Sequence, residues 1–218
     1  SMKFSCEKAL LQSMITIASR AVAPKSTIPA LEGVLLEAEQ ELNLTGYNLK
    51  TGIRGTISAD IAEPGSIVLS ARLFGDIIRR LPDDMVTLST DDLMVNITCG
   101  MSEFNILGMD PSQFPELPAV EYQNSMILPQ RILHSMITET IFAVSTNDSR
   151  PIHTGELFER NGEGLLTVVA VDGYRLALRR ETTQLNVSET ACQFVIPAPA
   201  LNEVSKICGD TDETVEIV

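Results

Sequence analysis

Hydrophobic residues recur along this chain with two different periods. In four segments the apolar residues lie three or four positions apart, which is the spacing of an amphipathic helix packed on a core. The segments predicted to be helical are residues 8–22, 71–81, 129–144 and 198–208. Their predicted buried faces are Leu10, Leu11, Met14, Ile15 and Ala18 in the first, Leu73, Phe74, Ile77 and Ile78 in the second, Ile132, Leu133, Met136, Ile137 and Ile141 in the third, and Leu201, Val204 and Ile207 in the fourth.

Short runs of β-branched and apolar residues between these helices predict strands. In the first half of the chain the predicted strands are residues 34–37, 42–45, 53–58, 67–69, 86–89, 94–99 and 104–107. In the second half, two apolar runs within residues 167–180 meet at Asp172-Gly173, a dipeptide suited to the positive-φ positions of a tight hairpin turn. This hairpin is either a plain core element or a recognition surface that presents Tyr174 and Arg175 at its tip.

The chain contains an internal repeat. Ser13-Met14-Ile15-Thr16 returns as Ser135-Met136-Ile137-Thr138, and in the same register Pro29 returns as Pro151 and Gly33 as Gly155, an offset of 122 residues. Further along, the segment 67–71 matches the segment 194–198 at an offset of 127. A duplicated unit of this length predicts two domains of one topology. The predicted fold class is α+β, with two helices packed on antiparallel sheets in each domain.

The charge balance is acidic, because the 218 residues include 29 acids and 16 bases, for a net charge of -13. An acidic total argues against binding nucleic acid, but the bases are unevenly distributed. Seven of them fall on or beside the predicted helices: Lys8, Arg20, Arg72, Arg79, Arg80, Arg131 and Lys206. The main acids there are Glu7, Asp76, Glu139 and Glu203. The pattern fits either a mildly basic surface on the helices or, for Arg79 and Arg80, simple complementation of a helix dipole.

Candidate chemistry is sparse. The four cysteines are scattered and there are only two histidines, which predicts reduced thiols in a cytoplasmic protein and no metal or cofactor. Asp172 and His153 could form an acid–base pair, yet no nucleophile or oxyanion donor accompanies them. Nor are the glycines of residues 162–173 spaced as a phosphate-binding loop. No stretch is long and apolar enough to span a membrane. An enzyme is therefore disfavoured.

Several segments taken in order resemble one family. The opening MKFSCEKALLQSM, the strings KSTIPALEGVLLEA and LTGYNL, the closure PSQFPELP and above all TVVAVDGYRLAL are similar to the bacterial DNA sliding clamp, the beta subunit of DNA polymerase III. The resemblance covers the whole chain. It implies the DNA-clamp fold, in which each subunit has three domains of like topology and two subunits close head to tail into a ring with helices around the hole. It also implies a processivity factor without catalysis.

The resemblance assigns DNA contacts. Lys25 and Arg72 match basic contact positions of the family, and Asn147 matches a polar contact in the second domain. If the helices face duplex DNA, Arg79 and Arg80 belong to the same lining. Pro151 and Ile152 stand where some members have a pair of tyrosines that touch DNA, so the chain departs from the family there.

The resemblance also assigns partner contacts. The family binds the catalytic subunit of the polymerase, the clamp loader and other proteins through a short extended peptide, and the matching pocket here would be formed by His153, Val171, Gly173, Tyr174, Arg175 and Leu176. His153 replaces the leucine that is usual in the family, and we interpret it as a residue that fills space. Phe104 and Ile106 match apolar positions of the subunit interface.

The resemblance finally implies a domain plan. Residues 1–122 would form domain 1, with residues 110–118 closing it and a linker reaching about Asn124. Residues 123–218 would form a domain 2 that lacks its last strands, with the third domain outside this chain, so that only a longer protein would form the homodimeric ring. The competing interpretation is a β-rich adaptor that binds peptides but no nucleic acid, from which salt-dependent binding to duplex DNA would distinguish a clamp.

Overall fold

The computed structural model describes residues 1–120, 125–185 and 191–218. Two compact units follow each other along the chain, unit 1 (Ser1–Pro118) and unit 2 (Ala119–Val218). The boundary predicted at residue 122 and the end of the predicted linker at Asn124 lie outside the described residues. Each unit has its own hydrophobic core.

Unit 1 contains two helices and two antiparallel sheets. The helices are α1 (Lys8–Ser19) and α2 (Ala71–Arg80), and the strands are β1 (Lys3–Glu7), β2 (Gly33–Ala38), β3 (Leu42–Tyr47), β4 (Gly52–Ile57), β5 (Asp60–Glu63), β6 (Gly65–Ser70), β7 (Met85–Asp91), β8 (Met94–Cys99) and β9 (Ser102–Leu107). One sheet has the order β4-β3-β2-β6 and the other β5-β1-β7-β8-β9. Short 3₁₀ helices cover Pro29–Glu32 and Pro111–Gln113. All seven strands predicted in this half are confirmed, while β1 and β5 were not delimited by the sequence pattern.

The helices of unit 1 bury narrower faces than the sequence predicts. α1 buries Leu11, Met14, Ile15 and Ala18, but Leu10 is exposed, and the helix ends at Ser19 rather than at residue 22. α2 buries Phe74, Ile77 and Ile78, whereas Leu73 is exposed. Leu10 and Leu73 are exposed for the same reason. Each comes just before the first buried residue of its helix and lies at the margin of the apolar stripe.

The ends of α2 follow from its flanking residues. The Ser70 hydroxyl accepts a hydrogen bond from the backbone N–H of Leu73 at 3.3 Å and so caps the first turn. At the other end Pro82 cannot continue the helix, and α2 stops at Arg80. The helix therefore has fixed limits that hold Arg72 in its first turn and Arg79 in its last.

Unit 2 repeats this plan. Its helices are α3 (Gln130–Thr138) and α4 (Ala198–Ile207), and its strands among the described residues are β10 (Met126–Pro129), β11 (Gly155–Arg160), β12 (Leu165–Val171), β13 (Leu176–Thr182), β14 (Gln184–Leu185), β15 (Cys192–Pro197) and β16 (Thr214–Ile217). The sheets have the orders β13-β12-β11-β15 and β14-β10-β16. Further 3₁₀ helices cover Ile141–Ala143 and Pro151–Thr154.

α3 is shorter than the segment 129–144 predicts. It ends at Thr138, and the 3₁₀ helix Ile141–Ala143 follows. The hydroxyl of Thr138 bonds to the carbonyl of His134 at 3.0 Å, and the hydroxyl of Thr140 to that of Met136 at 2.6 Å. Such side-chain bonds to the preceding turn compete with helix continuation. In α4 the predicted Leu201 is buried, but Ile207 is exposed at the last residue.

The structure confirms the duplication. The order of elements from β1 to β7 in unit 1 is the order from β10 to β16 in unit 2, and the 3₁₀ helices that precede β2 and β11 both begin with a proline. The registers agree as well, because Leu35 pairs with Thr45 in unit 1 and its counterpart Leu157 pairs with Val169 in unit 2. A residue of unit 1 can therefore be matched to its counterpart through the sheet.

Candidate nucleic-acid and peptide-binding sites

A groove of about 650 Å³ runs between α1 and α2 of unit 1. Its lining includes Gln12 and Thr16 from α1, Lys25 from the loop after α1, and Arg72 and Arg79 from α2. Three of the predicted DNA-contact residues are thus brought together on one surface. Arg80 is exposed at the end of α2 and is not among the lining residues.

The basic groups of this groove differ in their partners. Arg79 Nη1 lies 3.2 Å from Asp76 Oδ1, and the carbonyl of Arg79 accepts a hydrogen bond from Lys8 Nζ at 3.3 Å. Lys25 and Arg72 are exposed and have no ion-pair partner within the described part of the chain. Their charge is therefore free to attract an anion such as a phosphate.

The helical face of unit 2 is electrostatically different. Arg131 of α3 forms an ion pair with Asp212, and Lys206 of α4 lies 3.7 Å from Glu203. Hydrogen bonding to Asp212 raises the pKa of Arg131 above its ordinary value. The basic pattern predicted for all four helices is thus unequal, because Arg131 and Lys206 on α3 and α4 are both paired with acids, whereas on α2 only Arg79 is.

Asn147 lies apart from this helical face, in the segment between the two 3₁₀ helices of unit 2. Its side-chain oxygen accepts a hydrogen bond from the backbone N–H of Ser149 at 2.9 Å, and its own N–H donates to the hydroxyl of Ser145 at 3.1 Å. The residue is exposed. Its side-chain NH₂ group has no hydrogen-bond partner among the described residues.

The hairpin predicted in residues 167–180 is formed by β12 and β13. Val171 pairs with Leu176, so the connection is the four-residue loop 172–175 rather than a two-residue turn. Within this loop only Gly173 has a positive φ, of 95°, and Asp172 does not. Instead the Asp172 carboxylate accepts hydrogen bonds from the backbone N–H groups of Tyr174 and Arg175, at 2.9 and 3.1 Å.

The loop is fixed by its own polar groups. Arg175 Nε donates to the second oxygen of Asp172 at 2.9 Å, and its guanidinium lies 5.6 Å from the centre of the Phe142 ring. Hydrogen bonds, first from the N–H of Tyr174, hold the pKa of Asp172 below its ordinary value. The carboxylate is committed to holding the turn, which removes it from any acid–base pair with His153. Phe142 was missed by the sequence analysis, because nothing in its neighbourhood resembles a binding motif.

The apolar residues of the tip are exposed. Tyr174 is fully exposed, Leu176 is 63% exposed and no atom lies within 4 Å of a side chain built on Gly173. The 3₁₀ helix that carries His153 leads directly into the start of β11. Because β11 and β12 are antiparallel and Leu157 pairs with Val169, the start of β11 lies beside the end of β12, where the hairpin tip begins. His153 is half-buried, and its carbonyl accepts a hydrogen bond from the N–H of Ser145 at 2.8 Å. The residues predicted for a peptide pocket therefore converge on one end of the sheet.

The predicted interface residues lie on the edge strand of unit 1. β9 pairs only with β8 among the described residues. Phe104 and Ile106 pair with the buried residues Ile97 and Val95, so both face the core side of the sheet. Phe104 remains 37% exposed there. The edge thus combines unpaired backbone groups with an accessible apolar ring.

The described residues contain no cluster of three or more His, Cys, Asp or Glu side chains able to hold a metal ion. All four cysteines are free, and burial raises the pKa of Cys6 to about 12. A thiol with so high a pKa is a weak nucleophile at neutral pH. No helix in the described residues is long and apolar enough to cross a membrane.

Comparison with protein families decides the relationship. Residues 2–118 match the model of the DNA polymerase III beta subunit, N-terminal domain, and residues 127–218 match that of its central domain. The chain belongs to the DNA polymerase III beta subunit family. The two matches coincide closely with unit 1 and unit 2.

Individual relatives agree with this family. The chain is 36% identical to the beta sliding clamp of Halalkalibacterium halodurans, over 100% of this chain and 60% of that protein. It is 37% identical to the beta sliding clamp of Staphylococcus epidermidis, over 99% of this chain and 59% of that protein. The chain therefore spans about 60% of the length of these relatives.

Solved structures of the family have the same fold. The DNA polymerase sliding clamp of Bacillus subtilis matches with a TM-score of 0.93 at 33% identity, covering 100% of this chain and 59% of that one. A sliding clamp of Pseudomonas aeruginosa bound to griselimycin matches with a TM-score of 0.92 at 30% identity and the same coverage. The predicted α+β clamp fold is confirmed.

Proposed function

We propose that this chain forms part of a DNA sliding clamp, a non-catalytic processivity factor that holds a DNA polymerase on duplex DNA. The observation that carries the proposal is the groove of unit 1, in which Lys25 and Arg72, without an ion-pair partner among the described residues, present positive charge beside Arg79. Family membership supports it. Contacts to phosphate carry no sequence information and exchange readily, so they suit a protein that moves along any duplex.

The proposed assembly is a ring. Its lining includes the groove of unit 1, together with Arg80 and the amide of Asn147. Phe104 and Ile106 on the exposed edge of β9 would meet a second subunit, and a third domain would complete each subunit in a protein of the length of the relatives. This homodimer would work in the cytoplasm, where bacterial DNA is replicated.

The proposed partner site is the end of the β12–β13 hairpin. An extended peptide with apolar anchors would contact Leu176 and Val171, approach the backbone at Gly173, and meet Tyr174, Arg175 and His153 at the rim. Glycine permits the close approach because it has no side chain. The partners we expect are the polymerase III catalytic subunit, the clamp loader and other proteins that carry such peptides.

DNA binding is tested by titrating a fluorescent duplex at several salt concentrations. We expect weak binding without sequence preference, and Lys25→Ala and Arg72→Ala should each lower the slope of log K against log salt by about one unit or less. Arg131→Ala is the matched control in unit 2, where Asp212 already compensates the charge, and it should change the slope less. Binding that ignores salt or depends on base sequence would contradict the proposal.

Peptide binding is tested separately by calorimetric titration of a peptide that carries glutamine and leucine anchors. Leu176→Ala should weaken binding by about tenfold, since it removes a largely exposed apolar contact. Arg175→Ala should weaken it less, because Arg175 is already engaged with Asp172 and Phe142. His153→Leu should leave binding intact if His153 only fills space. Equal effects of Leu176→Ala and Arg175→Ala would contradict the assignment of roles.

A second candidate function is a peptide-binding adaptor that does not bind nucleic acid. The exposed apolar residues of the hairpin favour peptide binding whether or not DNA is bound. Peptide binding together with no salt-dependent interaction with duplex DNA would favour the adaptor over the clamp.

A further inference from the structure

A carboxyl group is buried where α3 ends against β11. Glu156 and Thr140 are both fully buried, and Glu156 Oε2 lies 2.5 Å from the hydroxyl oxygen of Thr140. The other oxygen, Oε1, is buried with no hydrogen-bond partner among the described residues. An ionised carboxylate with one unpaired oxygen is costly at such a site.

The hydrogen bonds of Thr140 decide which group carries the proton. Its hydroxyl oxygen lies 2.6 Å from the carbonyl oxygen of Met136 and 2.5 Å from Glu156 Oε2. A hydroxyl has one proton, and a carbonyl oxygen can only accept. If the Thr140 proton serves Met136, the short contact with Glu156 requires a proton on the carboxyl group. A protonated Glu156 satisfies both contacts.

Glu156 forms no ion pair among the described residues, although the fully buried Arg160 lies on the same face of β11, beyond Phe158. Glu156 pairs with Ile196 of β15, and neither β12 nor the 3₁₀ helix Ile141–Ala143 has an ionisable side chain. On β15 the ionisable group is Cys192, at the opposite end of the strand and paired with Arg160 of β11. The other ionisable groups of α3 and of the residue after it contact other partners: Arg131 pairs with Asp212, Glu139 with Arg179, and His134 bonds to the carbonyl of Ser205. On β11 itself, Glu159 is exposed.

His153 also lies close in sequence, in the 3₁₀ helix just before β11. Burial raises the pKa of Glu156 above its ordinary value. Both the geometry and the burial thus favour the neutral acid.

We propose that Glu156 is protonated in the folded protein and donates a hydrogen bond to the hydroxyl of Thr140, so that the junction of α3 with β11 weakens when rising pH removes the carboxyl proton. The donated bond joins the second residue after α3 to the second residue of β11. It therefore ties the 3₁₀ helix of Phe142 to the 3₁₀ helix of His153, which immediately precedes β11. Neither the protonation of Glu156 nor the strength of this junction depends on what the chain binds.

Unit 1 provides the uncharged version of the same junction. At the offset of 122 residues, Val34 is the counterpart of Glu156 and Ala18 that of Thr140, and both are fully buried. The fold accordingly accepts two apolar side chains here. The acid and the hydroxyl in unit 2 add a titratable contact that unit 1 lacks.

The first experiment measures the protonation directly. In the full chain with carbon-13-labelled glutamate, the side-chain carboxyl carbon of Glu156, assigned through its backbone, is followed by NMR as a function of pH. We expect it to keep the chemical shift of a neutral acid above the pH at which ordinary glutamates titrate. Titration of Glu156 together with the exposed glutamates would overturn the proposal.

The second experiment compares stability across pH. The pKa of Glu156 is raised by folding, so its stabilising contribution is complete below the ordinary glutamate pKa and is lost as the pH rises towards the folded value. Within that window the unfolding equilibrium constant of unit 2 in the wild type should rise about tenfold per pH unit relative to Glu156→Gln, whose amide donates to Thr140 at every pH. Hydrogen exchange at β11 amides gives this constant for unit 2.

The control is the double variant Glu156→Val, Thr140→Ala, which copies the pair of unit 1. It should also lack the pH-dependent loss, whatever its absolute stability. Equal pH profiles for the wild type and both variants would overturn the proposal.

Discussion

The two four-stranded sheets share one topology, yet their contacts with the first helix of each unit differ in chemistry. In unit 1 the sheet approaches α1 through Gly46 and Gly55, and a side chain at Gly55 would lie 2.0 Å from Met14 Sδ. The counterparts of these glycines in the register of unit 2 are Ala170 and Arg179. A close apolar contact in one unit is therefore replaced by a longer charged side chain in the other.

Arg179 occupies in unit 2 the position that Gly55 has in unit 1, and its guanidinium makes polar contacts there. It donates to the hydroxyl of Ser135 at 2.9 Å, forms an ion pair with Glu139, and lies 2.6 Å from Glu181 Oε1. The counterparts of Glu139 and Glu181 in unit 1 are Ile17 and Ile57, which pack against the core. One backbone arrangement thus tolerates two ways of joining helix and sheet, provided that all the partners change together.

The outer faces of the same sheets differ as well. In unit 1 the segment after β9 covers the sheet, and Phe114 is buried against Leu31, Tyr47 and Val68. In unit 2 the corresponding face presents Leu176 and Leu178, which are 63% and 42% exposed. The sheet face that is an internal core in one unit is available for contacts in the other.

The largest expected effect concerns this cover. Phe114→Ala should lower the free energy of unfolding of unit 1 by about 3–4 kcal/mol, because a buried aromatic ring is lost. Hydrogen exchange at β2 and β3 would measure it. Tyr174→Ala on the exposed hairpin of unit 2 is the control and should change stability by less than about 0.5 kcal/mol. A similar cost for both would mean that the two outer faces do not differ as described.

The next effect concerns the close approach of α1. In Gly46→Ala the new Cβ would lie 2.1 Å from the carbonyl oxygen of Ala18, a backbone atom that cannot rotate away. We expect a loss of about 2 kcal/mol in unit 1, measured by urea unfolding with hydrogen exchange to assign it. The converse change, Ala170→Gly, should cost only about 1 kcal/mol in unit 2. Full stability of Gly46→Ala would show that α1 can move away freely.

A smaller effect is expected from the ionic contact. Arg179→Ala leaves Glu139 and Glu181 without their partner and should lower the midpoint of thermal unfolding of unit 2 by about 4 °C, with a smaller loss at high salt. The control is Arg54→Ala in unit 1, where Arg54 lies 3.5 Å from Glu37 and its side chain is 54% exposed. Arg54→Ala should hardly change the midpoint of thermal unfolding of unit 1. A decrease as large as that caused by Arg179→Ala would mean that the two ion pairs stabilise their units equally.

The smallest effect is a change in acid sensitivity. Hydrogen bonding by Arg179 holds the pKa of Glu139 below its ordinary value, so its stabilising contribution is present above the ordinary glutamate pKa and is lost as the pH falls. Glu139→Gln should therefore flatten the decline of unit 2 stability on the acid side, as followed by thermal unfolding at a series of pH values. An unchanged acid profile would remove Glu139 from the contact.

Much of the fold was predictable from the sequence. The repeat, the four helices, the seven strands of unit 1 and the hairpin of unit 2 all follow from local periodicity and the offset of 122 residues. The resemblance to sliding clamps named the family correctly. The site assignments stay predictions: Lys25, Arg72 and Arg79 line one groove, while Arg131 and Lys206, noted only as bases on the helices, are paired with acids.

The sequence by itself determined the order of elements and the duplication, because helix and strand periods are local and survive in each repeat. Only the tertiary structure showed which charges are free, since Asp212 meets Arg131 from 81 residues away. It alone showed that Glu156 is fully buried beside Thr140. The physical reason is that charge compensation and burial depend on segments distant in sequence, which a local pattern does not bring together.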